Sequence, residues 1–501
     1  MLNRKGDLAS RRATQPGTTR VSALPAWGLS AALGAVGGGL VFLAAHRALI
    51  DDAYITLNYA RTLAQHGQWA LEPGHQSNTA TSPLNVLLLA GLIVLFGAPV
   101  VSVGILLIAS LAVTGAALSM GCARLGYSQW PAAMAVSLLV VNPLLISTIG
   151  LETYLGLALV AVLGFVVLAR RPVVTGVVCG LLVLTRADLA SFAIAALIAV
   201  IGISPARSAT IQAGVRRVAH MVGAASAVAL PWFAASWWWL GSAVPDTFLL
   251  KVNEVWAGRS FTTGLWYFWL GYPLAVALSV LPAVFGVVAL VVWSVAWARR
   301  LAGPGGVLAV VWGIGAVGHI TVYLLLKVPP YQWYYGPAIG ALSMLAALSL
   351  GALSRPLQFA GSPIGVLLIA VTAVFLAGRP WTLTTISGNW ASASEYAALA
   401  ARVPPGATVE SFGEVGTVAY FCDCTVVDRF TDRAQIADLL RAKRATAGPV
   451  MRTLLDWNYY RFKAGQPIQP TYEFAFAEDP TGVRATSWRP YAGQMVVRPA
   501  D

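Results

Sequence analysis

The sequence predicts a polytopic α-helical membrane protein with a small α/β domain at its C-terminal end, outside the membrane. Three observations carry this. Only 11% of the 501 residues are charged and 57% are hydrophobic, where soluble domains carry about 25% charged residues. Apolar runs near the length of a bilayer crossing, about 20 residues, recur from Trp27 to Leu376. Hydrophobicity then drops from Arg379 onward.

The elements follow in order. Residues 1–25 are basic and polar and read as a cytoplasmic tail. The apolar stretch Trp27–Ile50 is longer than a signal-peptide core and runs into Asp51-Asp52-Ala53-Tyr54 rather than a small-residue cleavage site. It is therefore an uncleaved first spanning helix with its N-terminus in the cytoplasm. Residues 51–83 form a first external loop, amphipathic in places, with Ile55, Leu57, Tyr59, Leu63 and Trp69 interleaved with Arg61, His66 and Gln68. Leu84–Gly121 is broken at Gly97-Ala98-Pro99 and is long enough for two short spans, or for one span with a re-entrant piece. Further apolar segments fall near Trp130–Ser147, Leu151–Ala169, Val173–Leu184, Leu189–Ile203, Val218–Leu240, Leu265–Trp297, Val307–Leu326, Trp333–Leu353 and Pro363–Leu376.

Basic residues sort the loops. Arg170-Arg171, Arg207 with Arg216-Arg217, Arg299-Arg300 and Arg355 sit between apolar runs, the pattern of cytoplasmic loops. The net charge of +13 is thus no sign of nucleic-acid binding. If these sites are internal, then Gly150–Thr153, Thr185–Asp188, Gly241–Gly264, Pro329–Tyr335 and the C-terminal region are external, on the face that carries Asp51 and Asp52. The parity requires Leu84–Gly121 to cross a net odd number of times, and the whole gives about 11 crossings. The transmembrane module is assigned to residues 26–379 and the soluble extracytoplasmic domain to 380–501. In the latter, Thr408–Phe412 and Thr425–Asp428 read as strands and Ala434–Arg444 as a helix. Cys122 and Cys179 read as packing residues. Cys422-x-Cys424 reads as two incidental thiols, with a strained or intermolecular disulfide as the alternative.

The candidate chemistry lies at helix ends. Asp51 and Asp52 stand where the first helix leaves the bilayer. They are either a stop signal or a general base, since a carboxylate near apolar surface has its pKa raised and can take a proton from a hydroxyl near neutral pH. Glu152 opens a helix, where its charge suits the helix dipole. Arg186 and Asp188 interrupt two apolar runs, as a structural ion pair or with Arg186 free to hold a phosphate. Lys251 is a snorkelling lysine or a phosphate-neutralising one. His319 reads as a packed polar residue. Tyr331, Trp333, Tyr334 and Tyr335 read as an interfacial belt before a sugar platform. No P-loop, no H-E-x-x-H and no Cys/His metal cluster is present, so nucleotide-driven pumping and zinc hydrolysis are unsupported.

The ordered series of motifs resembles GT-C membrane glycosyltransferases. It comprises Asp51-Asp52-Ala53-Tyr54-Ile55, Tyr59-Ala60-Arg61, Glu72-Pro73-Gly74, Thr81-Ser82-Pro83-Leu84, Gly150–Thr153, Thr185–Asp188, Pro245–Phe248 with Lys251, Phe412–Gly416, and Val427-Asp428. The resemblance implies transfer of a sugar from a polyprenyl-phosphate donor to a glycan, lipid or protein acceptor at the outer membrane face. Asp51 or Asp52 would be the base, with Asp51 ranked slightly higher. Arg186 and Lys251 would bind the donor phosphate, and Glu152, Asp188, Tyr54 and Arg61 would orient substrate. The nearest subgroup is the actinobacterial arabinofuranosyltransferases, which use decaprenyl-phospho-arabinose in cell-wall synthesis. No cofactor is implied, and a need for a divalent metal is left open. The alternatives are a polyprenyl-phosphomannose-dependent mannosyltransferase and, from another class, a transporter or lipid flippase. Transporters favour internal repeats and charges near the midplane, and this sequence has neither.

Overall fold

The computed structural model describes residues 27–202, 211–254, 256, 258–299, 301, 303–353, 355–378, 385–386, 390–485 and 494–500. The basic tail 1–25, Arg207, Arg300 and the expected domain boundary at 379–380 lie outside the described residues.

A helical bundle occupies the first three-quarters of the chain. Its opening elements are α1 (Gly28–Ala45), α2 (Asp51–His66), α3 (Pro83–Phe96), α4 (Pro99–Leu125), α5 (Trp130–Val141), the short α6 (Pro143–Ile146), α7 (Thr153–Leu168), α8 (Pro172–Thr185) and α9 (Ala190–Gly202). There follow α10 (Ile211–Ala235), α11 (Asp246–Asn253), α12 (Phe261–Gly271), α13 (Pro273–Ala298), α14 (Gly306–Leu308), α15 (Gly315–Leu326), α16 (Gly336–Leu350) and α17 (Arg355–Ala377). Among the described residues six helices are long and apolar enough to cross a membrane, and further apolar helices of 10–17 residues pack among them. α10 carries a wide-turn extension, Ser236–Leu240.

Glycines set the closest helix contacts. Gly34 of α1 lies against the Leu111 backbone of α4, and Gly115 of α4 against the Ser30 backbone of α1, where a Cβ would not fit. These contacts run in opposite chain directions, so α4 begins beside the end of α1. α3 has 14 residues, or about 21 Å at 1.5 Å per residue, short of the ~30 Å hydrocarbon core. The chain breaks at Gly97 as expected, between the 14-residue α3 and the 27-residue α4, and of these two only α4 is among the six long apolar helices.

The loops segregate. At one end Arg124 Nε donates to Leu168 O at 3.1 Å, Gly305 and Gly351 both pack on Tyr127, and Arg170, Arg171 and Arg217 line one small cleft. The opposite end carries Asp51, Asp52, Glu152, Arg186 and Lys251. Tyr331, Trp333, Tyr334 and Tyr335 are also there, but not as a belt at the lipid boundary. The last three are buried: Trp333 stacks on Tyr331, Tyr334 on Tyr323 and Tyr335 on Phe261. An aromatic run signals interfacial depth but not which side of the helix faces lipid, and here it faces protein.

After the bundle come α18 (Ala393–Ala400), β1 (Thr408–Glu410), α19 (Gly416–Phe421), β2 (Thr425–Val427), α20 (Arg433–Thr446), α21 (Pro449–Asn458), β3 (Tyr472–Ala477), β4 (Val483–Arg484) and β5 (Gln494–Pro499). The strands form one sheet in the order β2-β1-β3-β5-β4. β1 is parallel to β2, with Thr408 opposite Thr425, and to β3; β5 is antiparallel to β3 and β4. Cys422 and Cys424 are joined in a disulfide, with Cα atoms 5.2 Å apart. The expectation of two incidental thiols is corrected: the turn between α19 and β2 brings the two side chains to the same side.

Candidate active site

α2 starts at Asp51, directly after the extended Ile50, so both carboxylates stand in the first helical turn. There they meet the positive end of the helix dipole. The helix turns them in different directions. Asp52 lines a cavity of about 580 Å³ at the end of the bundle opposite the arginine loops, together with Glu152, Arg186, Asp188 and Lys251. Asp51 does not line it. Its Oδ1 accepts the Thr417 N–H at 2.6 Å, at the start of α19.

Arg186 follows the last turn of α8 in extended conformation. Its Nη1 donates to Glu152 Oε1 at 2.8 Å and its Nε to Asp188 Oδ1 at 2.9 Å. A further N–H goes to the Tyr323 hydroxyl, which itself donates to Asp188. Three of the five guanidinium donors are thus engaged, which leaves two for a ligand. Its plane also lies 5.3 Å from the Tyr334 ring centroid. Glu152 and Asp188 therefore fix the direction of the arginine fork. His319 is buried and hydrogen-bonds the Tyr334 carbonyl at 2.9 Å.

Lys251 sits in the last turn of α11. Its ammonium lies 3.8 Å from the Tyr331 ring centroid and 3.6 Å from Glu254 Oε2. Burial pulls its pKa down, but Asp52 and Glu254 outweigh that and hold it above the ordinary lysine value. Desolvation raises Asp52 above the ordinary carboxylate value, partly offset by Lys251, while Glu254 adds to the rise. Asp51 is pushed up to about 6 by desolvation, against the Thr417 hydrogen bond and with a contribution from Asp52. Asp52 thus shares the cavity lining with two cations, Arg186 and Lys251. Much of the remaining wall is apolar, with Ile194 and Ile198 of α9, Ile314, Val322 and Leu326 around α15, and Phe248 of α11. Ile194, Ile198 and Phe248 are exposed side chains, so this wall of the cavity is not sealed by packing.

Tyr54 and Arg61 do not line the cavity. Tyr54 packs on Tyr420 and Phe421, with centroids 5.0 and 5.8 Å away. Arg61 donates to the carbonyl of Tyr420 at 3.1 Å and to Asn58 Oδ1 at 3.0 Å. Both hold α19 on α2. So does Asn58, whose Nδ2 donates to Gly416 O at 2.8 Å. Glu72 holds the neighbouring strand: its carboxylate accepts the Val426 N–H at 2.9 Å, and desolvation pushes its pKa up to about 8.

Sequence reasoning missed several contributors. Tyr323, Thr79, Thr247, Glu254 and Phe430 line the cavity or complete its bonding. Thr79 Oγ1 donates to Phe430 O at 3.1 Å, so the C-terminal region supplies part of the cavity wall. Asn78 donates to Ser236 and Ser242 and accepts the Asp246 N–H at 2.7 Å, tying the first loop to the helix that carries Lys251. Only Tyr323 left a sequence signal: it stands four residues after His319, on the same face of an otherwise apolar run. Among the described residues no group of three or more His, Cys, Asp or Glu is placed to hold a metal ion.

No family model matches the chain, and no curated protein matches it. Solved structures do. The chain superposes on ArnT from Cupriavidus metallidurans bound to undecaprenyl phosphate with a TM-score of 0.53 and 15% identity, over 94% of this chain and 98% of that one. The apo state of ArnT gives 0.52 and 16%, over 94% and 96%. The fold is ArnT-like, a multi-pass helical bundle with a C-terminal α/β unit, over nearly its whole length.

Proposed function

We propose that the chain is a GT-C glycosyltransferase that takes a polyprenyl-phosphate-linked sugar and transfers the sugar to an acceptor hydroxyl. The observation that carries this is the shared cavity: a carboxylate with raised pKa, Asp52, faces two cations, Arg186 and Lys251, in a space walled in part by exposed apolar side chains. A lipid phosphate needs both halves of that wall. The ArnT structure with undecaprenyl phosphate bound supports the same reading by its fold.

In this scheme Asp52 takes the proton of the acceptor hydroxyl as its oxygen attacks the anomeric carbon. The bond from that carbon to the phosphate oxygen breaks, and the polyprenyl phosphate leaves with the electron pair. Lys251 and the two spare donors of Arg186 stabilise the charge that develops on the leaving group. Attack from the side opposite the phosphate inverts the anomeric centre. Glu152 and Asp188 act through Arg186 by orienting it. Asp51, Tyr54 and Arg61 act through the docking of α19, which makes them positioning residues.

The cavity end is assigned to the outer face and the arginine-rich loops to the cytoplasm. The Cys422–Cys424 disulfide supports this, because such bonds persist on the oxidising side of a membrane. The soluble domain is assigned to residues 380–501 and the membrane module to 26–379, with the N-terminus cytoplasmic. Decaprenyl-phospho-arabinose is the first donor to test, from the motif series, and polyprenyl-phosphomannose the second. Purified protein in lipid discs, given each labelled donor and a panel of cell-envelope glycan acceptors, should transfer one sugar. Failure with every polyprenyl-linked donor, alongside transport of intact lipid across the bilayer, would replace transfer with a flippase function.

A further inference from the structure

We propose that α21 is an interfacial helix that seats the C-terminal unit on the bilayer surface beside the end of α10. The proposal rests on the bundle spanning a membrane and is independent of the reaction assigned to the cavity.

α21 is apolar on two opposite sides. Leu455 and the adjoining Tyr459 turn inward to a small core with Leu249, Leu250, Ile436 and Leu440. Val450, Leu454 and Trp457, at i, i+4 and i+7, form the opposite stripe and are 75%, 51% and 70% exposed. A helix of a water-soluble unit does not ordinarily leave its second apolar stripe bare, and a contiguous exposed apolar patch marks a contact surface.

Its position names the partner. α10 is long and apolar enough to span a membrane and its wide-turn extension carries Trp237, Trp238 and Trp239, and Trp at the end of a span marks the bilayer interface. Trp237 Nε1 donates to Trp457 O at 2.8 Å, and Asn458 exchanges hydrogen bonds with the Val244 backbone at 2.8 and 3.3 Å. The Arg461 guanidinium lies 3.7 Å from the Trp238 ring centroid. The C-terminal end of α21 is thus fixed to residues at the bilayer boundary, and its bare stripe continues the surface of exposed Trp238 and Trp239. Arg461, on the Trp238 ring, and Lys463 follow directly after the helix and add positive charge there, which complements anionic lipid headgroups.

The test uses the full chain in lipid discs containing anionic phospholipid. Leu454→Cys and Val450→Cys are labelled with a nitroxide, and Arg441→Cys on the polar side of α20 serves as the aqueous control. The wild type, with Cys122 and Cys179 buried, sets the labelling background. Collision rates are measured with oxygen, which concentrates in lipid, and with a neutral nickel chelate, which stays in water. At 450 and 454 the oxygen-to-nickel ratio should exceed that at 441 several-fold. It should fall toward the control value when the protein is moved from lipid into a peptide-based amphiphile without a bilayer. Ratios at 450 and 454 equal to the control in lipid would overturn the proposal. So would broad, immobilised spectra with spin–spin coupling, which would mean that a second copy covers the stripe.

Discussion

Replacing each aspartate of the pair separately should split two roles that adjacent residues rarely share. Asp52→Asn keeps the shape of the side chain and removes the base. General-base catalysis contributes about 10²–10⁴-fold, or about 2.7–5.4 kcal/mol at 1.36 kcal/mol per decade, so kcat should fall by that factor. Donor affinity should hold or improve, because a negative charge next to Lys251 disappears. Asp51→Asn still offers an oxygen to the Thr417 N–H, now 2.6 Å from the carboxylate. It loses only the charge-assisted part of that bond, about 1 kcal/mol, and kcat should stay within about tenfold of wild type. The pH profile separates the roles further. Desolvation raises the Asp52 pKa, and the base must be ionised, so wild-type kcat/KM should drop on the acid side with a midpoint above the ordinary carboxylate range. Asp51→Asn should keep that limb and Asp52→Asn should lose it. The assay is transfer of labelled sugar in lipid discs, with insertion of each variant checked by its elution profile. Near-normal kcat in Asp52→Asn alongside collapse in Asp51→Asn would refute the assignment of the base.

Three further outcomes follow from the geometry. Arg186→Ala leaves Glu152 and Asp188 without their shared cation; removing one partner of a buried ion pair costs about 3–5 kcal/mol, so thermal stability should drop and donor affinity should weaken, and unchanged donor affinity would return Arg186 to a purely structural role. Glu72 has a folded pKa of about 8 against 4.5, so its contribution to stability is fully present below pH ~4.5 and is lost as pH rises through about 8; Glu72→Gln should remove a penalty on the order of 4–5 kcal/mol above pH ~9, seen as a flatter melting temperature against pH, and a curve parallel to wild type would contradict it. Gly416→Ala would place a Cβ 2.3 Å from Asp51 O and 2.5 Å from Ile55 N, both backbone atoms that cannot yield, so α19 should lift from α2 and protease should cut the C-terminal unit faster, whereas wild-type cleavage rates would mean that the contact is loose.

The sequence carried the bundle well because membrane spans are a local property. Each needs its own apolar run, and the arginine loops then order the ends without tertiary knowledge. The break at Gly97 was legible too, and it falls between the short α3 and the long α4. The site was legible in part for the same reason: Asp52, Glu152, Arg186, Asp188 and Lys251 are polar residues at helix ends, and the ends meet at one side. Direction around a helix was not legible. Asp51 and Asp52 are adjacent, and what separates them is Thr417, a residue 366 positions away. Tyr54 and Arg61 turn to the same distant helix, and Phe430 reaches the cavity only through the fold of the C-terminal unit. The Tyr331–Tyr335 run read as a lipid belt because aromatic composition does not say whether a neighbouring helix covers it. The bare stripe of α21 was likewise invisible until α11 and α20 had claimed its other side.

The most direct measurement is an electron cryo-microscopy map of the chain in lipid discs with undecaprenyl phosphate added. Density for the phosphate should lie between Arg186 and Lys251, within reach of Asp52, with the prenyl chain leaving past Ile194 and Ile198. Lipid phosphate bound elsewhere on the bundle, with this cavity filled only by water, would contradict the central claim.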